Sequence, residues 1–349
     1  MGLTTHPKVK IASENAIKKY GSSVAGSRLL NGTTDLHIEL EHRLACFLNK
    51  EAALLFTTGF QVNLGVIPSI TQPNDIIILD RLNHASIIEG ARLSKAPYVM
   101  FKHNDMISLE QKLQQSADAE MRLIVVDGVF SMEGDLADLK GITQLAKQYN
   151  AVVMSDCAHA IGVIGEYGAG AASHFDVEDQ VDLIGGTFSK SLASIGGFIA
   201  SDAHTVEYIK HNSRSLVFSA SPTPASVAAA LASLDIIESD DSLRLQLLKN
   251  TEYAIAAFNS LGFDTGKTET PIIPLFIKDD KKTHEMAMLL LEKGIFVNSI
   301  ASPAVSRKNS MIRFSLMATH TREQIDLAID TIYQCAKKLE VPLSIEAHQ

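Results

Sequence analysis

Residues 181–198 read Val181-Asp-Leu-Ile-Gly-Gly-Thr-Phe-Ser-Lys-Ser-Leu-Ala-Ser-Ile-Gly-Gly-Phe198 and set one lysine, Lys190, between two short apolar runs. Thr187 and Ser189 precede it, and Gly185, Gly186, Gly196 and Gly197 bracket it. The runs 181–184 and 195–200 predict buried strands. A lysine between them must reach water or find something inside the fold to react with. Desolvation disfavours an ammonium, so an amine held there is a Schiff-base nucleophile. The plainer alternative is a loop lysine that follows a glycine pair.

Other polar residues fall at the ends of predicted strands. Gly59-Phe60 follows a strand at 53–56 and opens a helix, whose first N–H groups suit a phosphate. His84 follows a strand at 76–79, Ser131 one at 123–127, and Asp156 ends one at 151–155, with His159 three residues on. Singly, each has an ordinary explanation as a turn residue, a cap or a satisfied core group. In a doubly wound sheet, however, ligands sit at the carboxyl ends of the strands, and the set then fits one cofactor. Pyridoxal 5'-phosphate needs a lysine for its Schiff base and a carboxylate for its pyridinium nitrogen, here Lys190 and Asp156. His84 offers a flat ring to stack on it. Gly59, Phe60, Thr187 and Ser189 offer phosphate donors, and His159 and Ser131 are candidates for its phenolic oxygen.

The elements that must position these groups alternate. Helical spacing marks 7–19 and 35–49, the second with Asp35 as its cap. Strands at 53–56, 76–79, 98–102, 123–127 and 151–155 alternate with helices, and 215–219 reads as another strand. This predicts an α/β fold with a mainly parallel sheet covered on both faces. After a long helix at 225–238 and another at 242–261, strands at 272–277, 296–298 and 312–316 mix with helices. The reading is a large domain, 1–235, and a small C-terminal α+β domain, 236–349.

Bulk properties exclude other classes. The chain has 349 residues, 46% hydrophobic, with a net charge of −9. The absence of long basic blocks argues against nucleic acid as a partner. Three cysteines, Cys46, Cys157 and Cys335, lie far apart without a Cys-x-x-Cys pair, which argues against a zinc site and for a reducing compartment. No leader stands at Met1, and no apolar run approaches the ~18 residues of a membrane span. The expectation is a cytoplasmic protein without a metal.

Several segments resemble the α-oxoamine synthases, pyridoxal-phosphate enzymes of fold type I. They are Gly186-Thr-Phe-Ser-Lys-Ser191 with Gly196-Gly197, Asp156-Cys-Ala-His159, Asp127-Gly-Val-Phe-Ser-Met-Glu-Gly-Asp135, Asn83-His-Ala-Ser-Ile-Ile-Glu-Gly90, and Ala25-Gly-Ser-Arg-Leu-Leu-Asn-Gly32. Within the family, Gly-Thr-Phe-Ser-Lys-Ser and Ser310-Met-Ile-Arg-Phe-Ser-Leu-Met-Ala-Thr-His-Thr321 resemble the bacterial serine palmitoyltransferase branch. The resemblance implies a seven-stranded sheet, with Lys190 as the Schiff-base lysine, Asp156 as the pyridinium partner and His84 on the ring. It places His159 at the phenolic oxygen and Thr187 and Ser189 on the phosphate. Ser219 reaches over from a second subunit of a homodimer, and Arg313 and His84 bind the substrate carboxylate. The implied substrates are L-serine and a long-chain acyl-CoA. The alternatives are another amino acid and acyl-CoA pair, or a non-catalytic regulatory member. A long-chain product implies work near a membrane surface, although no amphipathic anchor stands out.

The sequence departs from the family in places. Met1-Gly2-Leu3-Thr4 matches the end of an Asn-x-Tyr-Leu-Gly-Leu arm that family members carry upstream, and that arm helps form the dimer. Ser22-Ser23 stands where a glycine is usual, Cys157 where an acidic residue is, and Ala160 where a serine is. Ala301 lies near the site of an arginine found in some bacterial serine palmitoyltransferases, so carboxylate recognition is expected to rest on His84 and Arg313.

Overall fold

Runs of consecutive buried aliphatic residues build the centre of the molecule. Ile77, Ile78 and Leu79, and Leu123 through Val126, are all 0% exposed. Successive strand side chains point to opposite faces, so burial of every residue means that both faces of the sheet are covered. In the computed structural model, which describes residues 1–344, these runs become the inner strands of a seven-stranded sheet.

The strands are β1 (Ala52–Phe56), β2 (Ile76–Asp80), β3 (Tyr98–Phe101), β4 (Arg122–Asp127), β5 (Val152–Asp156), β6 (Leu183–Thr187) and β7 (Gly197–Ser201). Their order is β1-β7-β6-β5-β4-β2-β3. β3, β2, β4, β5 and β6 are parallel, while β7 is antiparallel to both β6 and β1. Two reversals leave β1 pointing the same way as β6. The carboxyl ends of β1, β2, β4, β5 and β6 therefore share one edge, and β7 begins there.

Four helices matter for that edge: α1 (Pro7–Tyr20), α2 (Asp35–Phe47), α3 (Gly59–Ile70) and α4 (Ala85–Leu93). α3 and α4 cross closely, because Gly90 has no side chain. A Cβ there would meet the Asn63 carbonyl oxygen at 2.5 Å. Two local expectations change. The N-cap of α2 is Thr34, with Asp35 as the first helical residue. Residues 215–219 are not a strand, since a short helix spans Arg214–Val217. The sheet already ends in β1 and β3, and this segment packs on α3 instead, with Ser215 Oγ donating to the Gln61 carbonyl at 2.7 Å.

The chain divides into two units. The larger holds residues 2–130 and 137–241. The smaller begins at Ser242 and adds Met1 and the segment Ser131–Leu136. The division thus falls after the helix Pro224–Ser239 rather than at the expected 235/236. That helix buries Val227, Ala230 and Leu234 in the larger unit, so it does not part in its middle. The smaller unit has a three-stranded antiparallel sheet, β8 (Ile272–Phe276), β9 (Asn298–Ile300) and β10 (Met311–Ser315), in the order β8-β10-β9. The β9 strand lies two residues later than the expected 296–298. Segment 131–136 joins this unit through its carbonyls. Gly134 O accepts from Thr270 Oγ1 at 2.8 Å, and Ser131 O accepts from Arg313 Nε at 2.7 Å. Among the described residues, no helix is long and apolar enough to cross a membrane.

Candidate active site

The common strand edge of the larger unit gathers the side chains that the sequence singles out there. At the end of β5, Asp156 has a hydrogen-bond donor on each oxygen. Ala158 N–H donates to Oδ1 at 3.0 Å, and Asn63 Nδ2 donates to Oδ2 at 2.7 Å. A group that accepts on both oxygens is arranged as a carboxylate. Asp127 is its register partner on β4. Burial raises the Asp127 carboxyl well above its usual range, and the neighbouring Asp156 adds to the effect. Asp127 accepts the backbone N–H of His84 at 2.7 Å. Its own N–H goes to Asn83 Oδ1, and Asn83 Nδ2 goes to the Val125 carbonyl. The loop that carries His84 is thereby clamped to β4.

His84 caps α4. Its Nδ1 accepts the Ser86 N–H at 3.2 Å and lies 2.8 Å from Ser86 Oγ. A ring nitrogen that accepts a backbone N–H carries no hydrogen, so in neutral His84 the proton sits on Nε2. Burial lowers the imidazole below its ordinary value; Asp156 opposes this, and Lys190 adds to it. Ser86 Oγ also accepts from Asn63 Nδ2 at 2.9 Å. Asn63 and Ser86 were not among the expected site residues. Asn63 occupies the buried face of α3, where sequence spacing alone suggests an apolar contact.

The Lys190 turn is built differently. Phe188 and Leu192 are fully buried, and Phe188 stacks on Phe198 with centroids 6.0 Å apart. Ser191 Oγ donates to the Ile161 carbonyl. Ser194 N–H reaches Phe188 O at 2.9 Å, and Phe188 N–H reaches Gly196 O at 3.0 Å. Gly196, at φ +147°, leaves room for the Phe188 ring, which a Cβ would meet at 2.4 Å. Between these anchors Ser189 and Lys190 are exposed. The expectation of a buried, desolvated lysine is therefore corrected: Lys190 is an exposed residue between the buried Phe188 and Leu192.

Beside this turn, α3 begins under tight steric control. A Cβ on Gly59 would lie 2.6 Å from Thr187 Cβ, and one on Gly197 would lie 2.7 Å from Gly59 Cα. The first N–H groups of a helix have no partner within it, and this helix start comes up against the end of β6. Thr187 Oγ1 donates to Gly196 O at 3.0 Å and accepts Ser189 N–H at 3.3 Å, with Ser189 Oγ 2.9 Å away. Phe60 is exposed. Ser219 Oγ accepts from Gln61 Nε2 of its own chain at 3.0 Å, which puts it beside the start of α3. His159 is half-buried in the turns that follow β5.

Two expected residues belong to the smaller unit. Ser131 gives its carbonyl to Arg313 Nε, and Arg313 Nη1 donates to Ser315 Oγ at 2.7 Å, leaving Nη2 outside both bonds. Burial draws the guanidinium down from its ordinary value.

An exposed lysine on a rigid turn, a carboxylate held on both oxygens, a neutral imidazole and a helix start abutting hydroxyls match the needs of pyridoxal phosphate. The fold and these residues define a pyridoxal-phosphate-dependent enzyme of fold type I. The chain matches the profile of "Aminotransferase class I and II" over residues 3–332. It is 51% identical over 341 residues to a serine palmitoyltransferase of Sphingobacterium spiritivorum, covering 98% of this chain and 86% of that one. It is 41% identical over 342 residues to an 8-amino-7-oxononanoate synthase of Thermoanaerobacter pseudethanolicus, covering 98% and 87%. The solved structure of a serine palmitoyltransferase from S. paucimobilis with a bound PLP–myriocin adduct superposes with a TM-score of 0.95 at 33% identity, covering 98% of this chain and 86% of that one. The chain belongs to the aminotransferase class I and II family and, within it, to the α-oxoamine synthases.

Proposed function

We propose that this enzyme condenses L-serine with a long-chain acyl-CoA, palmitoyl-CoA, to give 3-ketodihydrosphingosine, CoA and CO2. This is the first step of sphingolipid synthesis. The observation that carries the reading is the convergence of Lys190, Asp156, His84, Thr187 and Ser189 on one sheet edge, in a chain half identical to a serine palmitoyltransferase. Bound pyridoxal phosphate supplies the electron sink that lets an amino acid lose its α-proton and later its carboxylate.

The residues supply the rest. The Lys190 amine forms the covalent link and, once displaced by serine, takes the α-proton. Asp156 accepts the pyridinium N–H. Nε2–H of His84 is a donor for the substrate carboxylate, and Arg313 pairs with the same carboxylate, for which a guanidinium fork is suited. Thr187 and Ser189 hold the phosphate together with the N–H groups of Gly59 and Phe60, and Thr187 also accepts the Ser189 N–H. His159 and Ser131 serve the phenolic oxygen. We further propose a cytoplasmic homodimer in which Ser219 serves the neighbouring subunit's phosphate site, and a product that leaves toward a membrane surface.

Product analysis with L-serine, glycine and L-alanine against a ladder of acyl-CoA lengths tests the assignment. A long-chain 3-keto amino alcohol from serine supports it. Preference for another amino acid, or for a short acyl chain, would move the enzyme to another branch of the family. Absence of any condensation in a chain that retains the Lys190 adduct would favour a regulatory member.

A further inference from the structure

We propose that Asn63 is a positioning residue that yokes Asp156 to His84. The proposal rests on the reading of Asp156 and His84 as groups directed at the cofactor. Asn63 is 1% exposed, and its two amide hydrogens go to different halves of the site. One reaches Asp156 Oδ2 at 2.7 Å, and the other reaches Ser86 Oγ at 2.9 Å. Ser86 Oγ accepts there, so its own hydrogen is left for His84 Nδ1 at 2.8 Å. The bonds run in one direction, from the amide outward to the carboxylate and, through the hydroxyl, to the imidazole.

Two further observations set Asn63 apart from an ordinary core asparagine. Its Oδ1 is buried without a hydrogen-bond partner. Buried polar atoms are nearly always paired, so this residue is kept for its donors at the expense of its acceptor. Its orientation is also fixed, because a flipped amide would turn Oδ1 toward the Asp156 carboxylate. The backbone is built to bring the partners together. Gly90, one helical turn after Ser86, allows α4 to approach the Asn63 carbonyl so closely that any Cβ would collide at 2.5 Å. One amide thus orients the group meant for the ring nitrogen and the group meant for the ring face. Displacing either shifts the other.

Coupling is measured as a double-mutant cycle read on the His84 imidazole, by NMR of the full chain without cofactor. The charged groups facing His84 are Asp156 from β5 and Lys190 from the β6–β7 turn, while Asp127 from β4 holds its backbone N–H. Asp156→Asn removes the charge that raises the His84 midpoint, so that midpoint falls. Part of the fall is direct charge interaction and survives any change at residue 63. The part carried through the amide is lost in Asn63→Leu, so the fall in that background is expected to shrink by about half. An equal fall in both backgrounds overturns the proposal, whatever Asn63→Leu does to stability. If Asn63→Leu does not fold, Ser86→Ala cuts the same bridge one link further on, and an equal fall there is equally fatal.

Adding pyridoxal phosphate to the same samples separates this inference from the function it serves. Asn63→Leu is expected to weaken cofactor binding roughly tenfold or more, as for loss of a hydrogen bond to a charged group. A wild-type chain that forms no borohydride-trappable adduct would end the cofactor reading and leave the coupling standing. A chain that binds cofactor normally but shows equal falls would end the coupling alone.

Discussion

The Asp156–Asn63–Ser86–His84 cluster and the Lys190 turn lie on one sheet edge and solve opposite problems. In the cluster Asp156, Asn63 and Ser86 are buried, and the exposed His84 ring is fixed by the hydrogen bonds of its Nδ1 to Ser86. Asp156 is 7% exposed and Ser86 2%, and each polar contact is a hydrogen bond within a few tenths of an ångström of 2.9 Å. In the turn the functional residue is exposed, and its neighbours are the buried groups. Phe188, Ser191 and Leu192 are buried around an exposed Lys190. The difference follows the work. A group that sets the electronic state or orientation of a cofactor needs one geometry. In the proposed reaction Lys190 is displaced and then carries a proton, and the buried neighbours give it a fixed origin.

The largest effect that could break this contrast is at the turn. Lys190→Ala is expected to abolish the borohydride-trapped cofactor adduct while leaving stability within about 0.5 kcal/mol, as for an exposed side chain. Adduct formation that survives in Lys190→Ala would remove the lysine from the chemistry. Phe188→Ala reverses the pattern. It takes nothing from the reacting groups but empties a fully buried ring site under the turn, so about 3–5 kcal/mol of unfolding free energy is expected to go. Urea denaturation reads it, and a cost below about 1 kcal/mol would mean that the turn is held by its hydrogen bonds alone. Gly59→Ala is smaller. Its Cβ has no space beside Thr187, and overpacking of this kind costs about 1–3 kcal/mol. Because the strain falls on the helix start, cofactor affinity should drop alongside stability. Titration of the variant with pyridoxal phosphate would reveal a drop in stability alone if the helix start is not the phosphate cradle.

The same contrast explains what could be read without coordinates. Asp156, His84, Thr187 and Lys190 stand where strands give way to turns, and an α/β alternation brings those junctions to one edge by topology alone. Their types were legible because a polar residue after an aliphatic run is conspicuous. Asn63 was not, because it sits inside Gly59-Phe-Gln-Val-Asn-Leu-Gly-Val-Ile, where helical spacing assigns it to a packed face. Only the closeness of α3 to α4 and to the end of β5 gives it partners. The exposure of Lys190 was misjudged for a related reason: flanking apolar runs report the burial of a backbone, not the direction of one side chain. The 215–219 segment was misread because a short apolar run such as Leu216-Val217-Phe218 does not by itself distinguish a strand from a helical turn.

The smallest expected effect concerns pH and asks whether burial with directed donors is a general device of the larger unit. His37, on α2, is fully buried and is not one of the residues at the sheet edge. Its Nε2 faces the Pro222 carbonyl at 3.0 Å and so must donate, and its Nδ1 accepts Thr34 N–H at 3.3 Å. A proton added at Nδ1 would be set against that N–H. Burial, followed by the Arg28 charge, brings the imidazole down to about 4. In the unfolded chain a histidine titrates near its ordinary value of about 6.5. Between those values the unfolded state binds the proton and the folded state does not, so stability falls as pH is lowered from about 6.5 toward 4 and is level with respect to this group above 6.5. His84 and His320 are lowered as well and act with the same sign, which is why a wild-type profile does not assign the slope. His37→Gln should be less stable at pH 7, where the lost hydrogen bonds count in full, yet its melting temperature should decline less steeply between pH 6.5 and 4. A parallel decline in the two proteins would place the acid sensitivity on groups other than His37, such as His84 and His320.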